Sequence, residues 1–197
     1  FDSHEDVPSQ ILGKHWLPAP FRKTIAKIYE KYEKQVLRKM DAVVSVTPHL
    51  TERLAQLNNN TVEITNYPII QKSKSASGQD FSLRNKAICF AGGISSLWMH
   101  ATVIEAIEKI ADVQYNLCGS GSDNYLKDLH ALKGWNQVEY FGIVPHNEVQ
   151  EIYRKSMVGL AIANYNANAK KNLGTLGNTK LFEIMLAGLP VICTDFI

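Results

Sequence analysis

Short apolar runs alternate with stretches of helical apolar spacing through the second half of the chain. The runs fall at residues 87–91, 113–118, 138–141, 158–163 and 190–194, and the helical stretches at 101–110, 123–132, 147–155 and 179–186. Strands that are almost entirely apolar and separated by helices are typical of a parallel sheet with both faces covered. The pattern therefore predicts an α/β fold with a doubly wound parallel sheet.

The first part of the chain carries the same two patterns over shorter lengths. Apolar residues recur at the helical period over 21–38, and a β-branched run at 42–46 leads into Thr47, Pro48 and a helical stretch to residue 57. Another strand is expected at 62–65. Residues 71–80 are mostly Lys, Ser, Gly and Gln, which is the composition of a flexible linker. We predict one domain at 1–70, a linker at 71–85 and a second domain at 86–197.

Composition limits the classes of function. Of 197 residues, 45% are apolar and 20% charged, and the net charge of +2 provides no strong field for nucleic acid. The apolar runs fall far short of the roughly 20 residues that span a membrane. Cys89, Cys118 and Cys193 lack CxxC spacing and lie in or at the ends of apolar runs, which indicates buried thiols in a reducing compartment. We expect a soluble, cytoplasmic protein, with peripheral membrane contact left open.

Two glycine-containing turns follow the first two strands of the second domain. Ligands of doubly wound sheets bind at the carboxyl ends of the strands, where loops and helix starts present backbone N–H groups. Gly92 and Gly93 would let the backbone approach a phosphate, although a tight turn explains them equally well. Gly119 and Gly121 resemble the start of a dinucleotide fingerprint, but Asn124 replaces the third glycine and the usual acidic residue is missing. A nicotinamide-dependent dehydrogenase is therefore disfavoured.

Residues 177–192 form a loop that leads into a short helix and an apolar strand. Lys180 lies in the first helical turn, where the macrodipole favours carboxylates, so a cation there suggests an anion to be bound. Glu183 falls on nearly the same face. An ammonium beside a carboxylate suits recognition of a phosphate together with sugar hydroxyls. A solvated Lys/Glu surface pair is the alternative.

Four segments that occur in this order resemble the nucleotide-binding C-terminal domain of GT-B glycosyltransferases, most closely the retaining type grouped as family 4. They are AICFAGG, YNLCGSGS, VEYFGIVPHNEV and NTKLFEIMLAGLPVICTD. Upstream, FDSHEDVP and DAVVSVTPHLTERL look like the closing part of that fold's N-terminal domain. The resemblance implies a Rossmann-like C-terminal domain and the end of a second Rossmann-like domain, with strands before Phe1 and helices after Ile197 in a longer parent chain.

By this resemblance the donor is a nucleoside diphosphate sugar, either a UDP- or a GDP-sugar, and no metal is required. Glu183 matches a carboxylate that accepts hydrogen bonds from the ribose, and Lys180 would face the diphosphate. His4 aligns with a histidine beside the donor sugar. The acidic residues close to it in the sequence are expected to cap the turn, and a metal cluster formed by them with His4 is disfavoured. The loop at 142–146, with the second glycine turn, would border the nucleobase. The implied donor-binding residues are Gly92, Gly93, Gly119, Gly121, Asn178, Thr179, Lys180 and Glu183, with His4 and Lys180 in catalytic roles.

Two departures from the family pattern bear on catalysis. Family members usually carry an acidic residue eight positions before the second glutamate, and Thr175 occupies that position here. They also carry an arginine, often with a lysine, after the glycine turn to neutralise the leaving diphosphate, whereas residues 95–102 contain neither. We expect His100 or Lys180 to take over this charge.

The resemblance implies sugar transfer to an acceptor hydroxyl with retention at the anomeric carbon, in polysaccharide or glycoconjugate synthesis. The expected partners are the nucleotide-sugar donor and a saccharide or lipid-linked acceptor, and nucleic acid is not expected. The lysine-rich helix at 21–38 would suit an anionic membrane, but the interleaved Glu30 and Glu33 favour a solvated face. Three alternatives stay open. They are a catalytically degenerate nucleotide-binding or scaffold subunit, a sugar-nucleotide epimerase of the same architecture, and a plain α/β interaction domain.

Overall fold

The structure, a computed structural model, describes residues 1–14, 16–68, 81–164 and 179–195. These residues fall into two compact units, one ending at Tyr67 and the other beginning at Pro68. Most of the predicted linker, residues 71–80, lies outside the described residues. The division into 1–70, 71–85 and 86–197 stays a prediction.

The first unit contains a three-stranded parallel sheet in the order β1-β2-β3. Its core cluster joins the end of the long helix to the central strand and the third helix through Leu37, Val43, Leu50 and Leu54. The predicted helices at 21–38 and 48–57 and the strands at 42–46 and 62–65 are all present, with slightly shorter or shifted bounds. The elements are β1 (Asp2–Ser3), α1 (Val7–Gly13), α2 (Ala19–Leu37), β2 (Val43–Ser45), α3 (Pro48–Ala55) and β3 (Thr61–Glu63).

Helix α1 was not predicted, because seven residues are too short to display a helical period. It is held by Asp6, whose carboxylate accepts hydrogen bonds from the Ser9 amide at 3.2 Å and the Ser9 hydroxyl at 2.6 Å. Arg53 of α3 lies 3.8 Å from the same carboxylate and donates two hydrogen bonds to Glu33 of α2, at 2.6 and 3.1 Å. Glu33 is only 6% exposed. The prediction that it belongs to a solvated face is therefore wrong, because it is an internal partner of Arg53.

The second unit contains a five-stranded, fully parallel sheet in the order β6-β5-β4-β7-β8. All five predicted strands and all four predicted helices are present. The strands are β4 (Ala87–Ala91), β5 (Gln114–Cys118), β6 (Val138–Gly142), β7 (Val158–Ala161) and β8 (Val191–Cys193), and the helices are α4 (His100–Ile107), α5 (Asp123–His130), α6 (His146–Lys155) and α7 (Thr179–Leu186). The predicted α/β fold with a doubly wound parallel sheet is confirmed for this unit.

Both faces of this sheet are covered, as the apolar strands predicted. Successive residues of β4 point to opposite faces, so Phe90 joins a cluster with α4 and α5 while Cys89 joins one with α6 and α7. Cys89 and Cys118 are buried, and burial raises their thiol pKa values to about 12 and about 11. Cys193 is exposed on the edge strand β8, so its predicted burial is wrong.

Strand β7 ends two residues earlier than predicted. The Ala163 N–H donates to the Thr194 hydroxyl at 2.8 Å, and that hydroxyl donates to the Ala163 carbonyl at 3.0 Å. A side chain therefore replaces the hydrogen bonds between strands at this point.

Within the described ranges, no helix is both long and apolar enough to cross a lipid bilayer.

Candidate functional site

The winding of the second sheet changes direction at β4. From β4 the sheet continues to β5 and β6 on one side and to β7 and β8 on the other. Ligands of doubly wound folds bind in the crevice outside the carboxyl ends of the strands at such a switch point. The turns that follow β4, β5 and β6 and the start of α7 are therefore the places to look for binding groups.

The turns after β4 and β5 pack directly against each other through glycine. Gly92 has φ +145° and Gly119 has φ +125°, a region that side-chain-bearing residues rarely adopt. A Cβ on Gly119 would lie 1.8 Å from the Gly92 carbonyl oxygen, and one on Gly121 would lie 2.4 Å from the Ile94 carbonyl oxygen. Gly119 and Gly121 are thus required by backbone packing, whatever ligand binds there.

Hydrogen bonds extend this packing into a row, which we call the glycine turns (residues 92–94, 119–121 and 142). The Gly92 N–H donates to the Cys118 carbonyl at 3.1 Å, and the Gly119 N–H donates to the Gly142 carbonyl at 2.7 Å. The Gly92 N–H already has its partner in the Cys118 carbonyl, and the donor-binding role predicted for Gly92 stays a prediction. Gly92 contributes space. A Cβ on Gly93 would meet no described atom within 4 Å, so the backbone there is open to approach.

Helix α7 is set on the sheet by close packing of Ile184. This side chain is fully buried, and a Cβ on Gly159 of β7 would lie 2.5 Å from its Cγ2 atom. Lys180 lies one helical turn before Ile184 and on the same face. Its side chain crosses the first glycine turn, since a Cβ on Gly92 would lie 2.6 Å from Lys180 Cε and 2.8 Å from Nζ.

The Lys180 ammonium rests on two aromatic faces. Its Nζ atom lies 4.3 Å from the ring centroid of Trp98 and 5.5 Å from that of Phe90. Burial lowers the pKa of Lys180, while the nearby Glu183 carboxylate acts in the opposite direction. This environment differs from that of a solvated Lys/Glu pair, so the surface-pair alternative is disfavoured.

Glu183 faces a histidine at the start of α6. Its Oε1 atom lies 3.1 Å from Nε2 of His146, with the Glu183 side chain 25% exposed and that of His146 70% exposed. His146 was not singled out from the sequence, because the two residues are 37 positions apart and no spacing rule links them. The pair brings the 142–146 loop and the start of α7 together at one edge of the sheet.

The other predicted site residues are placed as follows. His4 belongs to the first unit, where its Nε2 atom lies 3.0 Å from Asp2 Oδ2 and its Nδ1 atom lies 3.3 Å from Asn66 Nδ2. Thr179 is exposed at the first position of α7. Asn178 and Thr175 lie outside the described residues. In the part of the chain that the structure covers, no three His, Cys, Asp or Glu side chains are grouped so as to hold a metal ion.

His100 does not supply the charge expected of it. It is fully buried, its Nδ1 atom lies 2.8 Å from the Tyr115 hydroxyl, and the Phe90 ring packs edge-on at 4.7 Å between centroids. Burial, assisted by the Lys180 charge, lowers the pKa of His100 to about 4. The imidazole is therefore neutral at pH 7. The prediction that His100 substitutes for the missing cation is wrong, and among the described residues the cation seen at the first glycine turn is Lys180.

This buried histidine gives a prediction about acid stability. Because the pKa of His100 is about 4 in the folded protein and 6.5 in the unfolded chain, unfolding takes up a proton between these pH values. The contribution of neutral His100 to the free energy of unfolding is fully present above pH 6.5. It falls by at most about 1.4 kcal/mol per pH unit as the pH drops toward 4. Urea unfolding of wild type and His100→Gln between pH 7 and 4 should show a flatter profile for the variant. Parallel profiles would contradict the prediction, and the exposed His130, as His130→Gln, is the control.

The family model described as Glycosyl transferases group 1 matches residues 85–197, which is more than half of the chain. No curated protein matches the chain.

Several glycosyltransferases share the fold. A mutant of S. aureus TarM in complex with fondaparinux, alpha-GlcNAc-glycerol and UDP superposes with a TM-score of 0.62 at 16% identity, covering 84% of this chain and 32% of that one. The pneumococcal O-GlcNAc transferase GtfA in complex with UDP and GlcNAc gives 0.58 at 20% identity, covering 85% and 32%. A glycosyltransferase from Rickettsia africae gives 0.59 at 18% identity, covering 91% and 48%.

The present chain spans a third to a half of the length of these proteins. At such low identity the likeness establishes the fold, and the family match covers the unit that holds the glycine turns and Lys180. The chain therefore belongs to the Glycosyl transferases group 1 family and has the GT-B type of α/β fold.

Proposed function

We propose that this chain is the donor-binding part of a glycosyltransferase that moves a sugar from a nucleoside diphosphate sugar to an acceptor hydroxyl. The observation that carries the proposal is the Lys180 ammonium, which lies across the Gly92 turn at the carboxyl edge of the sheet. Family membership supports the reaction class. The presence of UDP in the TarM and GtfA complexes supports a nucleotide donor.

The diphosphate is proposed to lie at the start of α7, beside Lys180. The first N–H groups of a helix have no partner within it, and the helix dipole favours an anion there. Lys180 adds a full positive charge at the same end. As the bond to the sugar breaks, negative charge grows on the leaving diphosphate, and these groups stabilise it without a metal ion. Gly93 leaves room for the phosphates to approach the backbone.

Glu183 is proposed to accept hydrogen bonds from the two ribose hydroxyls. A carboxylate with two oxygens suits a bidentate contact, and His146 at 3.1 Å orients it. The nucleobase would then lie along the second glycine turn and the 142–146 loop. We further propose a UDP- or GDP-sugar as donor, retention at the anomeric carbon, a saccharide or lipid-linked acceptor, and His4 beside the donor sugar.

One alternative function has a specific observation in its favour. Residues 95–102 contain no lysine or arginine, and Thr175 replaces the usual acidic residue. A nucleotide-binding subunit that has lost catalysis would show the same departures. Measured release of diphosphate from a sugar donor separates this alternative from the enzyme.

Nucleotide-dependent stabilisation tests the proposed site. A ligand that binds only the folded state at 100 times its Kd stabilises it by about 2.7 kcal/mol, or about 5–10 °C for a chain of this size. Thermal-shift titration with UDP, GDP, ADP and NAD should show such a rise with one diphosphate, and Glu183→Ala should abolish it. Glu105→Ala, which removes an exposed carboxylate from α4, is the matched control and should behave as wild type. A full shift retained in Glu183→Ala would refute the ribose assignment. No shift with any diphosphate would refute nucleotide binding and favour a degenerate scaffold subunit.

A further inference from the structure

The position of the Lys180 ammonium depends on a side chain from a different segment of the chain. Trp98 belongs to a short 3-10 helix, Ser96–Trp98, that follows the first glycine turn. Its ring lies 4.3 Å from Nζ, closer than the ring of Phe90 at 5.5 Å. Both distances lie within the range of cation–π attraction, in which the negative face of an aromatic ring attracts a cation.

The two rings form a rigid support, because each is fixed by separate contacts. Phe90 is only 2% exposed within β4, and its centroid lies 5.4 Å from that of Trp98. The turn that carries Trp98 is tied to the segment after β7 through Asn164. The Asn164 side chain donates to the Ser96 carbonyl at 2.8 Å, and its backbone N–H donates to the Leu97 carbonyl at 2.7 Å.

This support matters because a lysine side chain is long and has many rotamers. Holding it in one orientation before the ligand arrives removes an ordering cost that would otherwise weaken binding. The aromatic rings attract the ammonium without neutralising its charge, and the Glu183 carboxylate is also near enough to act on it. Residues 95–102 bring no cation of their own to the phosphate region. They contribute instead the Trp98 ring, which contacts the Lys180 ammonium of α7.

We propose that Trp98 is a positioning residue that holds the Lys180 ammonium over the Gly92 turn, ready to meet the diphosphate. The proposal rests on the proposed function, because its benefit is realised only if a nucleoside diphosphate binds there. The Phe90 ring, whose centroid lies 5.5 Å from Nζ, is the second part of this support. The role of Trp98 is specific to phosphate binding, so recognition of the ribose and base should not depend on it.

The contact itself can be tested without any ligand. In the ¹H–¹³C correlation spectrum of the folded chain, the ε protons of Lys180, identified by their loss in Lys180→Met, should be shifted to lower frequency by the ring current of Trp98. The shift should largely disappear in Trp98→Leu and be partly retained in Trp98→Phe. Trp135→Leu is the matched control, because Trp135 also packs at the margin of the same core cluster. An unshifted Lys180 signal in the wild-type chain would overturn the proposal.

The consequence for binding is measured by calorimetry on the same proteins. Trp98→Leu should weaken UDP, or whichever diphosphate stabilises the chain, by about 3- to 10-fold, while Trp98→Phe restores most of the affinity. Affinity for the matching nucleoside, which has no phosphate, should be unchanged. Equal losses for nucleoside and diphosphate, or no loss for either, would overturn the positioning role. If no diphosphate binds wild type although the NMR signature is present, the proposed function fails, and the positioning role fails with it while the contact stands.

Discussion

Replacement of Lys180 by methionine is expected to weaken nucleoside diphosphate binding by about 10- to 100-fold and to slow sugar transfer by about 100-fold or more. Methionine keeps the length and apolar stem of the side chain and removes only the charge. A hydrogen bond between charged groups contributes about 1.5–3 kcal/mol to binding, and each 1.4 kcal/mol is tenfold in affinity. Loss of one group that stabilises charge in the transition state costs on the order of 100-fold in rate. Calorimetry with UDP or GDP and the rate of diphosphate release from the sugar donor measure the two effects.

The same substitution should stabilise the ligand-free protein against unfolding, although it weakens ligand binding. Burial lowers the pKa of Lys180, so the folded state disfavours the ammonium relative to the unfolded chain. Between the lowered pKa and the ordinary value of 10.5 the unfolded state binds more protons, and wild-type stability therefore rises with pH in that window. The advantage of Lys180→Met should be largest at neutral pH and shrink toward pH 10.5.

Exposed Lys127 on α5 supplies the control for both measurements, because Lys127→Met removes an ammonium far less enclosed by protein. Its diphosphate affinity and its melting profile should match wild type. Unchanged diphosphate affinity in Lys180→Met would exclude this lysine from the phosphate site. A lower melting temperature for Lys180→Met at pH 7 would mean that its ring contacts and Glu183 outweigh the cost of burying the charge.

Substitution of Gly119 by alanine is expected to destabilise the fold by more than about 4 kcal/mol, the range reached only by severe steric or packing defects. Its new Cβ would lie 1.8 Å from the Gly92 carbonyl oxygen, and neither backbone can move without breaking the hydrogen bonds between the turns. The φ of +125° adds strain of its own. Urea unfolding followed by circular dichroism measures the loss.

Gly92→Ala provides an informative contrast with Gly119→Ala. Its Cβ would meet the flexible end of Lys180 and not backbone. The lysine can swing away, so the stability cost should be about 1–3 kcal/mol, from the φ of +145°. Diphosphate affinity should fall as far as in Lys180→Met. Gly13→Ala, where the added methyl meets no described atom within 4 Å, should be nearly neutral. Equal stability of the Gly119→Ala and Gly13→Ala variants would refute the packing argument.

The architecture of the second unit could be predicted because it follows from local pattern. Its strands are buried on both faces and therefore apolar throughout, and each helix between them keeps one apolar face. The placement of Lys180 in the first turn of α7, with Glu183 one turn later on nearly the same face, also followed from the helical spacing over residues 179–186. These inferences needed only neighbouring residues.

The contacts that give these side chains their properties could not be predicted. His146 reaches Glu183 and Trp98 reaches Lys180 only after the sheet has brought distant segments together. Sequence could not reveal that His100 is enclosed by Phe90 and Tyr115, so its charge state was misjudged. The roles of all the predicted site residues, His4 and Asn178 included, stay predictions.

The interlocked glycine turns limit how such a site can diverge in evolution. The first turn fills the space that a side chain at Gly119 or Gly121 would need, and the Gly92 and Gly119 amides are hydrogen-bonded to the ends of the next strands. An insertion or a larger residue in one turn would displace the others, so mutations accepted there are few. Related proteins can change ligand preference most readily through side chains that project onto this backbone from other elements. In this chain the cation proposed to face the phosphates projects from α7 in that way, so the source of the charge can change while the main chain beneath it stays the same.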